Sequence, residues 1–190
     1  MHLLKQMSNT ILLDADGVLL NWLDTFCEDH DLTRDEFFQL DKAYPEDAKK
    51  HIIRFNETAR IGFLPPIAGA VEGVAALKNL GYEIQVVTSF GTSPYAVRLR
   101  EDNLKRIFGD VFTRIHCLPL GDNKQYFLKK TFPEKDYFFV EDSIGNAEKA
   151  LEIGLQPIIF TQSWNANKPL KQGMTRTYNW KDLIETLKVT

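Results

Sequence analysis

The chain is poor in cysteine: only Cys27 and Cys117 occur in 190 residues, far apart and in no CxxC pair. That excludes a disulfide framework, and both read as buried thiols of a reduced compartment. The four histidines, His2, His30, His51 and His116, lack zinc-ligand spacing. Positive charge is not in excess either. Lys+Arg 23 against Asp+Glu 26 gives a net charge of −3, which excludes a generally basic binder of nucleic-acid polymers. No apolar stretch approaches the roughly 20 residues that span a bilayer. The opening MHLLKQMSNT holds one Lys and no apolar leader core, so no secretory signal and no membrane partner are expected, and the location reads as cytoplasmic. Repeats and low-complexity segments are absent. Hydrophobic residues at 44% and charged residues at 26% form an ordinary globular balance. The length suits one domain, or one domain with a small insert.

Five short apolar runs carry the architecture: Thr10 to Asp14, Ile84 to Thr88, Phe112 to His116, Tyr137 to Val140 and Pro157 to Phe160. Each is β-branched or aromatic and nearly continuous, as in strands covered on both faces of a parallel sheet. Amphipathic segments lie between most of them: Ala70 to Leu80 with Val71, Val74, Ala75 and Leu80 on one face, Pro94 to Phe108, Lys124 to Phe132, and Ser143 to Ile153. Gly81, Gly109, Pro133 and Gly154 stop them. This alternation predicts an α/β doubly wound, Rossmann-like parallel sheet.

The alternation fails between the first two runs. The excess, residues 20–64, is helical in pattern. Thr33-Arg34-Asp35-Glu36 is a capping box, and Pro45 to Ile61 carries Ala48, Ile52, Phe55 and Ala59 at helical spacing. Pro65-Pro66 then returns the chain to the sheet. A small α-helical domain inserted after strand one is expected, with residues 1–19 and 65–190 forming the main domain. Thr161 to Thr177 reads as loop by composition, and Tyr178 to Leu187 as a closing helix.

Acidic residues end two of the apolar runs, in Asp14-Ala15-Asp16-Gly17 and Glu141-Asp142-Ser143. Ligands of open parallel sheets bind outside the carboxyl ends of the strands. Carboxylates converging there repel one another unless a cation compensates, and hard oxygen donors favour Mg²⁺. Each piece also has a plainer reading. Asp-x-Asp-Gly can be a turn, though Val18 excludes a calcium loop, and Asp142 and Ser143 can cap a helix. Thr88-Ser89 offers a hydroxyl and turn N–H groups to an anion. Lys124 opens a helix, where the dipole favours an anion over a cation; an anion held between Lys124 and Thr88 would account for both.

In this order and strand-end context, Ile11 to Val18, Val86-Val87-Thr88-Ser89, Lys124 and Val140 to Gly154 resemble the four motifs of the haloacid dehalogenase superfamily. The likeness covers about residues 1–20 and 65–160, and the insert resembles the family's small helical C1 cap. Lys129 and Lys130 rival Lys124 but fall inside the helix. The resemblance implies strand order 5-4-1-2-3 and phosphoryl transfer through an aspartyl-phosphate. Asp14 would be the nucleophile and Asp16 the acid and then base. Thr88, Lys124, Ser89 and Ala15 would contact the phosphate, and Asp14, Asp142 and the Asp16 carbonyl would hold Mg²⁺. Glu141, Ser143 and Asn146 would support that shell; Asn146 stands where many relatives have Asp. Asn21 and Trp22 would line the entrance, unless Trp22 serves packing, and Arg54 and Arg60 either meet an anionic substrate or face solvent. Asp16 favours phosphatase or phosphomutase over carbon–halogen cleavage.

The expected activity is therefore hydrolysis of a small soluble phosphomonoester such as a sugar phosphate. Nucleoside monophosphate hydrolysis is the second reading, because Ile158 to Asn165 and Tyr178 to Lys181 look like the closing segments of 5′(3′)-deoxyribonucleotidases. A β-phosphoglucomutase-like mutase and a non-catalytic phosphate binder complete the alternatives.

Overall fold

The computed structural model describes residues 9–122, 124–133 and 136–188. His2, most of the opening segment and Asn123 of the Lys124 loop lie outside them. Six parallel strands, β1 (Thr10–Leu13), β2 (Glu83–Thr88), β3 (Phe112–Cys117), β4 (Phe138–Glu141), β5 (Gln156–Phe160) and β6 (Thr175–Thr177), form one sheet in the order β3-β2-β1-β4-β5-β6. The expected order 5-4-1-2-3 lies within it. β6 extends the edge beyond β5, in a segment read as loop. Its three residues, Thr-Arg-Thr, carry no apolar signal; it exists by pairing with Ile158, Ile159 and Phe160.

Continuous apolar strands bury both faces, and successive side chains of β1 part company. Ile11 and Leu13 join a core with Val86, Val140 and Ile158, beside Val74 and Leu77 of α4 (Ala70–Asn79), Leu104 of α5 (Pro94–Phe108) and Trp180 and Leu183 of α8 (Trp180–Lys188). Leu12 joins Val87 and Phe139 on the other face, with Leu128 of α6 (Gln125–Thr131) and Ala150 of α7 (Ile144–Glu152). Each fully buried Leu or Ile contributes about 2 kcal/mol.

The buried face of α4 is Ala70, Gly73, Val74 and Leu77, whereas Val71 and Leu80 are exposed. Gly73 sets the rotation: a Cβ there would lie 2.1 Å from the Trp180 ring, so only a glycine admits α8 so closely. The helix expected from Pro45 to Ile61 is α3 (Pro45–Asn56) followed by a separate 3₁₀ turn, Ala59–Phe63. Ala48, Ile52 and Phe55 face inward, but Ala59 lies past the break and is exposed.

The stretch between β1 and β2 is helical, as expected. Residues 20–64 of it hold α1 (Trp22–Asp29), α2 (Arg34–Ala43), α3 and the 3₁₀ turn, and α4 follows. The Thr33–Glu36 capping box is present, with both reciprocal bonds made. α1 had no separate sequence signal beyond the aromatic pair Trp22 and Phe26. These rings stack at 4.9 Å between centroids and meet Phe37 and Phe55 edge-on. Among the described residues no helix is long and apolar enough to cross a membrane.

Candidate active site

Register carries the acidic residues to one rim. Leu13 pairs with Val86 on one side and Val140 on the other. The next residues out, Asp14, Thr88 and Glu141-Asp142, therefore emerge together at the carboxyl ends of the three central strands. This is the place where open α/β sheets bind ligands.

Asp14 and Glu141 follow Leu12 and Phe139 in the strand alternation and share their face of the sheet. Lys124, just before α6, lies between them. Its Nζ is 2.8 Å from Asp14 Oδ1 and 2.7 Å from Glu141 Oε2, and 5.6 Å above the Phe139 ring. It is 2% exposed. A lysine this buried keeps its charge only because it is paired: burial works against the ammonium, but Asp14 and Glu141 outweigh it and hold Lys124 above its ordinary value. Lys124 is thus the lysine brought to the rim, while Lys129 and Lys130 are exposed on α6.

Ligand oxygens of Asp14, Glu141 and Asp142 lie within 4.8 Å of one another. Three carboxylates face one ammonium, and the imbalance is visible in their acidity. Burial pushes Asp14 well above its ordinary range, and Glu141 and Asp16 push the same way against Lys124. Burial, then Glu141 and Asp14, raise Asp142 likewise. For Glu141 burial is outweighed by Lys124, so its carboxyl stays below its ordinary value. A hard divalent cation fits this donor set: oxygen ligands, close spacing and uncompensated negative charge.

The loop after β1 is wound tightly. Leu19 and Leu20 both donate their N–H to the Ala15 carbonyl at 2.8 Å, and Gly17 donates to Leu20 at 2.9 Å. Gly17 has φ +80, and a Cβ there would lie 2.2 Å from Asp142 Oδ2. Only glycine allows both the left-handed turn and this approach. The Ala15 N–H donates to Asp14 Oδ1 at 2.8 Å.

Asp16 points elsewhere. Its two oxygens accept from Arg100 of α5, from Nη1 at 2.6 Å and from Nη2 at 3.0 Å. Sequence reading missed Arg100. It is fully buried and lies 4.5 Å over the Phe90 ring. Its position in the buried row Ala96, Arg100, Leu104, Phe108 was the available signal: an arginine at an i, i+4 step inside an apolar stripe.

Thr88 is buried at the end of β2. Ser89 Oγ donates to the Asp122 carbonyl at 3.4 Å, tying that strand end to the Lys124 loop. Ser143 caps α7 by accepting from the Asn146 N–H, and its own N–H donates to Glu141 Oε1 at 3.1 Å. Asn21 caps α1 by accepting from the Asp24 N–H, and its amide donates to Asp24 Oδ2. Trp22 Nε1 donates to the buried Asn56, whose amide reaches the Phe90 carbonyl. Arg60 is paired with Asp29, and Arg54 is exposed; neither reaches the rim. Both cysteines are free: Cys27 is buried, but Cys117 only partly so, because it lies on β3 at the sheet edge.

A slot of about 150 Å³ opens beside the cluster, lined by Asp16, Gly17 and Asp142 below and by Trp22, Leu23, Phe37, Phe38 and Trp164 around it. Asn165 and Gln162 hold its far wall, donating to the Asp142 and Gly17 carbonyls at 2.8 and 2.6 Å. A larger apolar groove of about 400 Å³ between α4 and α8 contains none of the rim residues.

No protein-family model matches the chain. It is similar to an uncharacterized 32.4 kDa protein of Enterobacteria phage T4, from the Gp30-rIII intergenic region, 24% identical over 197 residues that cover 95% of this chain and 70% of the relative. Among solved structures it resembles the D,D-heptose 1,7-bisphosphate phosphatase of B. bronchiseptica complexed with magnesium and phosphate (TM-score 0.64, 15% identity, 95% of this chain and 98% of that one). It also resembles the L-2-haloacid dehalogenase of Xanthobacter autotrophicus with chloropropionic acid covalently bound (TM-score 0.62, 10% identity, 96% and 99%). The architecture of the chain is thus the haloacid dehalogenase fold.

Proposed function

We propose that the chain is a Mg²⁺-dependent phosphomonoester hydrolase that works through a phosphorylated Asp14. The observation that carries the reading is the Asp14–Lys124–Glu141 cluster with Asp142 beside it, set next to a slot into which a second aspartate, Asp16, opens. The dehalogenase neighbour shows that the fold alone does not choose the chemistry. The second aspartate favours the phosphatase, because ester cleavage leaves an alkoxide that needs a proton.

Lys124 and the Ala15 N–H fix Asp14 Oδ1, so the other carboxylate oxygen is the one that attacks phosphorus in line. Asp16 enters this step protonated on a lone pair that Arg100 leaves free, and the phosphorus–oxygen bond to the leaving group breaks as Asp16 gives that oxygen its proton. Asp16 then takes a proton from the water that cleaves the aspartyl-phosphate, so one carboxyl serves as acid and then base. Lys124 and Thr88 stabilise the equatorial phosphoryl oxygens, where charge collects. Asp14, Asp142 and the Asp16 carbonyl would hold Mg²⁺. The bound ion supplies charge neutralisation between the anionic nucleophile and the anionic ester. Glu141 holds Lys124 and the Ser143 N–H in place, and Ser143 and Asn146 start the helix behind Asp142.

The α1–α3 segment, residues 20–64 with their 3₁₀ turn, is the cap that roofs the slot. The rest of the described residues form the main domain, and the leaving group lies under Trp22, Phe37 and Phe38. A small metabolite phosphate suits the slot's volume. The four surrounding aromatic rings favour, as a second reading, a leaving group with a flat ring, as in a nucleoside monophosphate. No polymer or membrane partner enters this reading.

The test is phosphate release from a phosphomonoester panel with Mg²⁺, beside Asp14→Asn. Metal-stimulated release by the wild type and none by the variant is expected. Equal release by both refutes the nucleophile, and no release from any ester by the wild type favours the phosphate binder. Isomerised sugar phosphate without free phosphate favours the mutase.

A further inference from the structure

Arg100 is an unusual residue to find fully buried. A guanidinium cannot shed its charge, and desolvating it is costly unless its donors are matched. The match here is incomplete: Nη1 and Nη2 reach Asp16, while Nε has no hydrogen-bond partner. The surroundings are rigid. Asn103, one turn on, donates to the Leu64 carbonyl at 3.1 Å, and Arg106 reaches the Gly62 carbonyl. α5 is therefore tied by polar groups to the backbone that returns from the helical segment. Leu99 packs at the same place, 3.0 Å from where a Gly62 Cβ would be. Phe90 lies under the guanidinium plane and is itself held by Asn56 through its carbonyl.

The two ends of this pair differ in exposure: Arg100 is 0% exposed and the Asp16 side chain 25%. Asp16 lines the slot and Arg100 does not. The guanidinium thus stands behind the carboxylate, out of reach of anything in the slot. It cannot serve as a direct anchor for a substrate anion, but it fixes both oxygens of the carboxylate that faces the slot.

We propose that Arg100 is the positioning residue for Asp16: its fork, backed by Phe90 and the anchored α5, locks the carboxylate in the one orientation that meets the leaving-group oxygen. Free to rotate, an aspartate on a loop would sample several rotamers. Proton transfer demands hydrogen-bond reach, and small misplacements of reacting groups cost rate steeply. The inference rests on the phosphatase reading, in which Asp16 delivers the proton. Arg100 would touch neither the phosphate nor the Asp14, Glu141 and Asp142 carboxylates.

The experiment compares two esters with similar rings. The benzyl alkoxide leaving from benzyl phosphate must be protonated; the para-nitrophenolate leaving from para-nitrophenyl phosphate need not be. With Mg²⁺ present, Arg100→Met is expected to lower kcat/KM on benzyl phosphate, which reports the step that expels the leaving group, on the order of 100-fold. On para-nitrophenyl phosphate the loss should be about fivefold or less. Arg100→Lys, which keeps the charge but not the fork, should restore part of the benzyl rate. In an Asp16→Asn background, adding Arg100→Met should cost nothing further, because the two act as one unit.

Equal loss of kcat/KM on both esters would overturn the proposal, as would losses that multiply in the double variant: Arg100 would then be structural only. A rise in KM at unchanged kcat on both esters would overturn it by making Arg100 a substrate anchor. If Asp16→Asn shows the ester difference and Arg100→Met does not, the inference alone falls. If the wild type releases phosphate from neither ester, or Asp14→Asn matches it, the phosphatase reading falls and takes this one with it.

Discussion

Asp14 and Asp16 are separated by one alanine, yet they belong to two buried charge clusters of opposite character. Asp14 turns toward Lys124, Glu141 and Asp142, where carboxylates outnumber the cation. Asp16 turns toward Arg100, where one carboxylate meets one guanidinium, oxygen for nitrogen. The first cluster is incomplete by charge and calls for a cation. The second is balanced by charge and calls for none. Two carboxylates placed so differently on one tight loop can take different roles, one attacking and one moving protons, and the general rule is that environment separates such roles. The proposed mechanism divides along the same line: uncompensated charge gathers where phosphate and metal would bind, and the charge-balanced pair holds a geometry.

Removing each aspartate sharpens this contrast most. Asp14→Asn should lower turnover by about 10⁴-fold or more, as loss of a nucleophile does, measured as phosphate release. Its metal-free stability should not fall, because one surplus buried carboxylate is gone. Asp16→Asn should do the opposite to the fold. It strands a buried guanidinium, with an expected loss of about 2 kcal/mol in urea unfolding. Adding Arg100→Met should recover most of that loss. If Asp14→Asn proves the more destabilising of the two, the contrast between the clusters is wrong.

A cation should act on the first cluster alone. Mg²⁺ at about a hundred times its dissociation constant should add about 3 kcal/mol to unfolding. The gain should vanish in Asp142→Asn and survive in Arg100→Lys. Its pH dependence has a definite sign. Folding raises Asp14 and Asp142 above their ordinary value of 3.8, so the folded state binds those protons more tightly than the unfolded one. Metal-free stability should therefore decline as pH rises from the unfolded value through the folded values, and the gain from Mg²⁺ should grow over the same window. Thermal melts with Mg²⁺ or EDTA across pH 4 to 8 check this, taking a range around the usual carboxylate values.

The smallest effect is expected at a solvent-facing pair. Arg34 and Asp24 meet at 2.5 Å with side chains 42% and 31% exposed, and Asp24→Asn should cost about 0.5 kcal/mol after screening. Hydrogen bonding from Arg34 holds Asp24 below its ordinary value of 3.8. The contribution is thus complete above that value and is lost as pH falls through the folded one, the reverse of Asp14 and Asp142. Urea melts of wild type and variant at neutral pH and near pH 3 should show the difference disappearing at the acid end.

Much of this was legible in the residues. The five longer strands follow from their apolar runs, and the rim follows from acids and hydroxyls at the ends of those runs. Lys124 was legible from its awkward place at a helix start, and α2 from its capping box. What failed depends on partners distant in sequence. β6 is too short and polar to be seen without β5 beside it, and the face of α4 is set by Trp180 meeting Gly73. Arg100 is the clearest case. Its burial depends on Asp16, 84 residues away, and periodicity alone cannot say whether a charged residue in an apolar stripe has met its counterion.

The central claim is tested most directly by asking whether phosphate passes through Asp14. The Asp16→Asn variant, slow to release phosphate, would be mixed with Mg²⁺ and ³²P-labelled acetyl phosphate, quenched in acid and digested. Label on the peptide holding Asp14, and none in an Asp14→Asn/Asp16→Asn double variant, is the predicted result. Label on another residue, or phosphate release by the wild type with no labelled protein at any time point, would contradict it.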